Sequence, residues 1–281
     1  MAQRSVTTFD LIVATVGPAE RLGRLLDSLA RQSHTSFRVL VVDQNADDRL
    51  GDVLASAAEL DLFRLRSAPG LARARNAALE RVQADVVAFP DDDCEYAPDL
   101  LARVAARLEG DRIDGVLGRT AHTCGATSPN WPTQPLVVTP RIVWHCSNSN
   151  TLFLTRSLVE DIGCFDESLG LGAGTPWTSG EETEYLVRAL RLGARLEFDP
   201  TLVVTHADRP QTAELGRRDG ASVGYILGKH RFPPRTLARM AVRPIGGALV
   251  SIARLDGAGA LFHAATARGR ARGYLGGRRA R

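Results

Sequence analysis

The stretch Phe9-Asp-Leu-Ile-Val-Ala-Thr-Val16, ended by Gly17-Pro18, decides how the chain is to be read. A short apolar run closed by turn residues reads as a buried strand. Working outward, Leu22, Leu25, Leu26 and Leu29 recur at helical spacing. Residues 37–42 form a second buried run closed by Asp43, and 53–60 look helical. Residues 62–65 read as a short strand, 72–82 as a helix and 85–89 as another buried strand. Strands alternating with helices in this order build a parallel sheet with right-handed crossovers. The expected fold class is α/β, with a mostly parallel central sheet flanked by helices.

Beyond residue 95 the pattern loosens. A helix is expected over 98–108, a strand over 115–119, and an irregular loop over 121–141, which holds four prolines. A strand over 151–155, a helix over 181–192 and short strands over 196–198 and 202–205 follow. After residue 209 come two or three arginine-rich helices, a C-terminal helical tail on one α/β domain.

The chain has 281 residues, 44% of them hydrophobic, enough to bury one large core or two modest ones. Residues 1–10 lack the basic-then-apolar order of a secretory leader. The apolar stretch 245–262 is interrupted by Arg254 and Asp256 and is rich in glycine, so it is a poor spanning helix. Cys94, Cys124, Cys146 and Cys164 show no Cys-x-x-Cys spacing, which points to free thiols in a reducing cytosol. The net charge of +3 conceals a division: residues 1–208 carry 20 Lys/Arg against 29 Asp/Glu, residues 209–281 carry 15 against 3. A tail with a balance of +12 is either a solvated basic surface or the seat of an anionic partner, such as a membrane face or a diphosphate.

Ligands of parallel α/β sheets bind at the carboxyl ends of the strands. Thr15, Asp43 and Asp91-Asp92-Asp93 all fall there. Three consecutive carboxylates repel one another unless a cation or positive group compensates them, and oxygen ligands suit Mg²⁺ or Mn²⁺ bridged to phosphates, a reading favoured over a solvated turn. Glycine-rich phosphate loops, dinucleotide fingerprints and Gly-x-Ser-x-Gly elbows are all missing. Arg73 and Arg75 in the first turns of a helix oppose its dipole, so a phosphate or a neighbouring carboxylate is needed to explain them. Glu182 starts the apolar stripe Leu186, Ala189, Leu190 and is thereby expected to face inward, with Glu181 nearer solvent. A general base and an acidic complement to the helix dipole are both open readings for these glutamates. His206, after the last strand, either completes a metal shell or is structural, and Trp177 either stacks on a sugar or fills the core.

The ordered set Val-Val-Asp43, Gly70-Leu-Ala-Arg-Ala-Arg-Asn76, Phe-Pro-Asp91-Asp-Asp-Cys94, Gly163-Cys-Phe-Asp-Glu-Ser-Leu-Gly170, Gly180-Glu-Glu182 and Val203-Val-Thr-His206 resembles the inverting family 2 glycosyltransferases of GT-A fold. The resemblance covers about residues 9–206. It implies a GT-A domain over 1–208, with a donor half near 1–95 and an acceptor half near 96–208, and a basic helical extension over 209–281. It further implies that Asp43 holds the nucleobase, that Arg75 lies near the donor phosphates, and that Thr15, Asp91 and Asp92 belong to the donor site. Asp91, Asp93 and His206 would hold Mn²⁺ or Mg²⁺, and Glu182 would be the catalytic base. Glu-Glu stands where the family commonly has Glu-Asp, which keeps Glu181 as a rival. The implied partners are a nucleoside-diphosphate sugar, a UDP-sugar first, and a glycan or lipid-linked acceptor, with peripheral membrane contact through the tail and no nucleic acid. The expected location is cytoplasmic, at the inner face of the cell membrane where the tail makes that contact. Competing readings are a sugar-nucleotide-binding protein of the same fold without transferase activity, and a nucleotidyltransferase.

Overall fold

Strands β1 (Phe9–Thr15), β2 (Phe37–Asp43), β3 (Leu62–Arg66) and β4 (Val86–Ala88) run parallel, in the spatial order β3-β2-β1-β4. In the computed structural model residues 6–110, 112–123, 125, 131–207 and 212–280 are described. These four strands have apolar side chains on both faces. Helices α1 (Ala19–Ala30) and α4 (Leu100–Gly110) bury Leu22, Leu25, Leu29, Leu101 and Val104 in one core with Leu11, Val13, Val39 and Val41, α4 meeting the sheet in its far half. On β1 and β2 also packs α3 (Leu71–Leu79), which follows the short helix α2 (Gly51–Ser56) and β3.

Both directions occur in the rest of the sheet. β5 (Cys94–Tyr96), β6 (Gly115–His122), β7 (Leu136–Val137), β8 (Leu152–Thr155) and β9 (Leu196–His206) continue it in the order β4-β8-β6-β9-β5, with β7 beside β9. β8 is antiparallel to β4 and β6, β6 and β9 run parallel, and β9 is antiparallel to β5 and β7, so a mostly parallel sheet carries β5, β7 and β8 running against it. Alternation of burial along a strand says nothing about the direction of its neighbour, which is why the apolar runs concealed this. The two short strands expected over 196–205 are one strand, β9, whose pairing with β6 slips between Leu117 and Arg119. β5 and α5 (Arg156–Ile162) had no counterpart in the sequence reading. β7 lies inside the stretch read as irregular, of which residues 124 and 126–130 fall outside the described residues, Cys124 with them. Cys94 and Cys146 are buried thiols and Cys164 is exposed.

Contacts divide the chain into two compact units: residues 1–165 with 185–208, and residues 166–184 with 209–281. Helix α6 (Glu181–Arg191) is shared between them along its length. In the second unit, α7 (Ala213–Lys229) and α9 (Gly257–Arg279) carry glycine at every fourth position: Gly216, Gly220, Gly224 and Gly228 on one, Gly269, Gly273 and Gly277 on the other. Residues four apart share a helix face, so each helix presents a bare backbone stripe. A Cβ on Gly224 would run into the Arg270 carbonyl oxygen, and one on Gly273 into that of Ala221. Between these helices in sequence lies α8 (Pro234–Ala253), interrupted by Pro244. Proline lacks the N–H that would bond the carbonyl four residues earlier, and the Met240 carbonyl instead accepts from Arg270 Nη1 of α9. Also in this unit, the fully buried Glu184 carboxylate accepts from Lys229 Nζ at 2.8 Å and lies 2.9 Å from His230 Nε2, while Lys229 also donates to Asp166 at 2.7 Å.

Candidate active site

Parallel pairing puts Thr15 of β1 opposite Asp43 of β2, and the turn after β4 brings Asp91, Asp92 and Asp93 to the same edge. β9 arrives from the far end of the domain sequence. Its antiparallel register with β5 sets His206 opposite Cys94, the neighbour of Asp93. Sheet register thus joins groups more than a hundred residues apart.

His206 Nε2 lies 2.9 Å from Asp93 Oδ1 and 3.6 Å from Asp91 Oδ2. Its Nδ1 is 2.7 Å from the Ala207 carbonyl, which can only accept, so Nδ1 carries a proton and Nε2 is the atom presented to the carboxylates. Burial on its own lowers the imidazole, but the hydrogen bonds to Asp91 and Asp93 outweigh it and push His206 up to about 10. An imidazolium is here the cation between two carboxylates. One ligand atom from each of Asp91, Asp93 and His206 lies within 4.8 Å of the others. Two carboxylate oxygens and one imidazole nitrogen so disposed fit a single divalent cation, and the Nδ1 bond to a backbone carbonyl is the outer support that metal-binding histidines commonly have.

The three aspartates differ in their surroundings. Burial would raise Asp91, yet the His206 hydrogen bond and the charge of Arg75 hold it below the usual carboxylate range. Ser149 Oγ donates to Asp91 at 3.1 Å. Asp92 is raised, by burial first and then by its two acidic neighbours, against the bond it accepts from Thr15 Oγ1 at 2.6 Å. That bond ties the end of β1 to the acidic turn.

Arg75 is 1% exposed, rests on the rings of Phe89 and Phe165 with its guanidinium carbon 5.9 and 5.6 Å from their centroids, and reaches Asp91 at 3.4 Å. A neighbouring carboxylate, one of the two explanations open for an arginine at this helix start, is in place. Asn76 grips the backbone of Phe165 from both sides, accepting from its N–H at 2.7 Å and donating to its carbonyl at 3.0 Å. Phe165 is thereby tied to α3, and it stacks on Tyr185 at 4.1 Å.

Asp43 is fully buried. It accepts from Asn45 N and Nδ2 at 2.9 Å and from Arg64 Nη2 at 2.6 Å, with Arg66 at 3.2 Å. Burial raises it, and Arg64, Asn45 and Arg66 together lower it further than burial raises it. Arg64 and Arg66 were not singled out in the sequence, although their i, i+2 spacing on a strand puts both on one face. Ser149 had no signal of any kind.

The glutamates belong to the second unit's part of α6. Glu181 is 3% exposed, its carboxylate against Gly170, whereas Glu182 is half-buried. This reverses the inward Glu182 and outward Glu181 expected from the apolar stripe. Thr183, Glu184, Tyr185, Leu186 and Val187 are all buried, so the helix is covered on nearly every side and a single stripe does not report orientation. Trp177 stacks on Tyr225 at 5.0 Å, filling the second unit's packing.

The family model described as glycosyl transferase family 2 matches residues 10–168. The chain is 24% identical over 246 residues to the glycosyltransferase AglE of Haloferax volcanii, covering 84% of this chain and 76% of that one. It is also 24% identical to a pre-mycofactocin glycosyltransferase of Mycobacterium tuberculosis, covering 89% of this chain but only 52% of the relative. Among solved structures, the mannosyltransferase PcManGT of Pyrobaculum calidifontis, in complex with GDP-Man and Mn²⁺, superposes with a TM-score of 0.67 at 16% identity over 96% of this chain and 88% of that one. The likeness in structure is one of fold, the GT-A fold. With the family model spanning more than half its length and ending beyond the acidic turn, the chain belongs to glycosyl transferase family 2 and is a glycosyltransferase.

Proposed function

We propose that the enzyme moves a sugar from a nucleoside-diphosphate donor, a uridine nucleotide first, to an acceptor hydroxyl with inversion and with the help of Mn²⁺ or Mg²⁺. The observation that carries this reading is the Asp91–Asp93–His206 cluster at the carboxyl edge of the sheet. Support for the donor class comes from the GDP-Man and Mn²⁺ of PcManGT and from the UDP complex of S. aureus TarS, a structure with TM-score 0.59 and 21% identity over 93% of this chain and 90% of that one.

Asp91, Asp93 and His206 are the residues that would hold the cation, which supplies positive charge against the departing diphosphate. Arg75 keeps Asp91 ionised and oriented from behind. Thr15 and Asp92 brace the donor edge, and Asp43, clamped by Arg64 and Arg66, borders the nucleobase. In this reading residues 1–95 form the donor half and 96–208 the acceptor half. The acceptor oxygen bonds to the anomeric carbon as the bond from that carbon to the diphosphate oxygen breaks, its electron pair leaving with the diphosphate. Glu182 receives the acceptor proton. An accessible carboxylate is required for an acceptor arriving from solvent, and Glu182 is the more exposed of the pair. The acceptor is a glycan or a lipid-linked one, met at the inner face of the cell membrane, on which the basic 209–281 extension rests.

Donor hydrolysis and transfer, measured with and without Mn²⁺, test the reading. Asp93→Ala should fold yet lose the metal-dependent stabilisation conferred by a nucleoside diphosphate. Unchanged metal-dependent binding in that variant overturns the assignment, and a wild-type protein that binds donor but never turns it over is a binding protein.

A further inference from the structure

In the second unit, α7, α8 and α9 border an open-sided cavity of about 290 Å³ lined by Leu227, Leu237, Ala241, Ile245, Ala267 and Arg270, among others. Its walls are almost wholly hydrocarbon, with Arg270 and Tyr274 adding only a small polar edge. One end of that guanidinium is occupied, since Nη1 serves the carbonyl that Pro244 leaves open on α8. Its Nε is buried with no hydrogen-bond partner among the described residues. A buried donor left without a partner is destabilising, the more so when it is charged. Burial and the nearby charge of Arg243 pull Arg270 down to about 10, which marks an environment short of anions. Beside the cavity, Val242, Ile245, Leu249 and Ile252 on α8 are exposed apolar residues.

An inorganic anion would satisfy Arg270 and leave the apolar walls empty. A hydrocarbon would fill the walls and leave the charge unanswered. Only a molecule with an acidic group on an apolar chain answers both. We propose that this cavity binds one acidic phospholipid, with its phosphodiester on Arg270 and an acyl chain along Leu227, Leu237 and Ile245. The exposed apolar residues of α8, one of which (Ile245) also lines the cavity, offer a leaflet a hydrocarbon surface, and the +12 balance of residues 209–281 selects the anionic kind. The site goes beyond the transfer reaction and does not depend on it.

The test uses the full-length protein and dihexanoylphosphatidylglycerol below its micelle concentration, followed by titration calorimetry. Dihexanoylphosphatidylcholine and glycerol phosphate are titrated in parallel. The acidic lipid should bind at least tenfold more tightly than either. Ala241→Trp, at an exposed position on the cavity lining, should weaken it at least tenfold, and Arg270→Gln should abolish the preference over phosphatidylcholine. Should Arg270→Gln fail to fold, having lost its bond to α8, Ala241→Trp alone decides. Equal binding of phosphatidylcholine would make this a hydrocarbon pocket, and equal binding of glycerol phosphate an anion site. Either result overturns the proposal, as does undiminished lipid binding by folded Ala241→Trp or no lipid binding at all. Vesicle binding is a separate readout, so a protein that binds vesicles but not the monomeric lipid keeps the membrane reading and loses this one.

Discussion

Glu181 and Glu182 are separated by about 100° around one helix, and that rotation decides which can act on an incoming hydroxyl. Glu181 is enclosed against Gly170, whose φ of +92° a residue with a side chain rarely adopts. Glu182→Gln keeps the size of the side chain and removes the base, and should lower turnover by roughly 10²–10⁴-fold with donor affinity nearly unchanged. Glu181→Gln should lower the thermal midpoint more than the turnover. Steady-state kinetics and thermal melts on both variants check this, and the opposite pattern makes Glu181 the base. His206 yields a second expectation, with two opposed pH slopes. Its folded value of about 10 lies above the ordinary 6.5, so in metal-free protein its contribution to stability is complete below about 6.5 and lost as pH rises towards 10. Metal must displace the same proton, so apparent Mn²⁺ affinity should rise up to tenfold per pH unit over that window. Thermal melts of the metal-free protein and Mn²⁺ titrations from pH 6.5 to 9, each against His206→Asn, measure the two. A flat affinity would show that Nε2 is not the ligand atom.

At the scale of elements, what was legible followed from local chemistry. Apolar runs closed by turn residues located β1, β2 and β4, and three adjacent aspartates marked a candidate site because their mutual repulsion calls for a compensating positive charge. His206 was legible as a candidate, yet its meeting with Asp93 depends on the antiparallel register of β5 with β9, and β5 is only three residues long. No periodicity announces so short a strand. The glycine stripes of α7 and α9 stood in the sequence at a spacing of four, but glycine counts as a helix-weakening residue until a second helix is known to lie against it. This close approach makes a sharp test. Gly224→Leu should disrupt the second unit at a cost above about 3 kcal/mol, since its Cβ would occupy the place of a backbone oxygen rather than of a movable side chain. Gly246→Ala, on α8, meets nothing within 4 Å and should stabilise by about 0.5–1 kcal/mol through helix propensity alone. Chemical denaturation of the two variants reads the contrast, and a mild effect at Gly224 would mean that α7 and α9 do not touch as described.

At the scale of the whole molecule, charge and packing together constrain how the basic extension can be used. Residues 209–281 carry 15 Lys/Arg against 3 Asp/Glu, and Arg235, Arg254, Arg268, Arg272 and Arg278 are exposed. Val242, Leu249, Ile252 and Leu261 are exposed apolar residues on the same helices. Among the described residues no helix is long and apolar enough to cross a membrane, so the contact proposed is with a surface. Removing the extension is a poor test, because α9 fills the bare face of α7 and its loss would expose that backbone. Charge reversal leaves the packing alone. Each basic side chain near an anionic surface contributes about 1 kcal/mol, and the attraction is screened within a Debye length of about 10 Å at 0.1 M salt. Arg268→Glu with Arg272→Glu should therefore reduce sedimentation with phosphatidylglycerol vesicles by at least about tenfold in affinity at low salt. Neither position belongs to the acidic edge or to the glutamates, so transfer to a soluble acceptor should continue at the wild-type rate. High salt should bring the wild type down to the variant, since only the electrostatic share is being removed. Equal pelleting of wild type and variant at low salt would mean that the basic surface is merely solvated, and the extension would then serve as packing for α6 and the segment before it within the second unit.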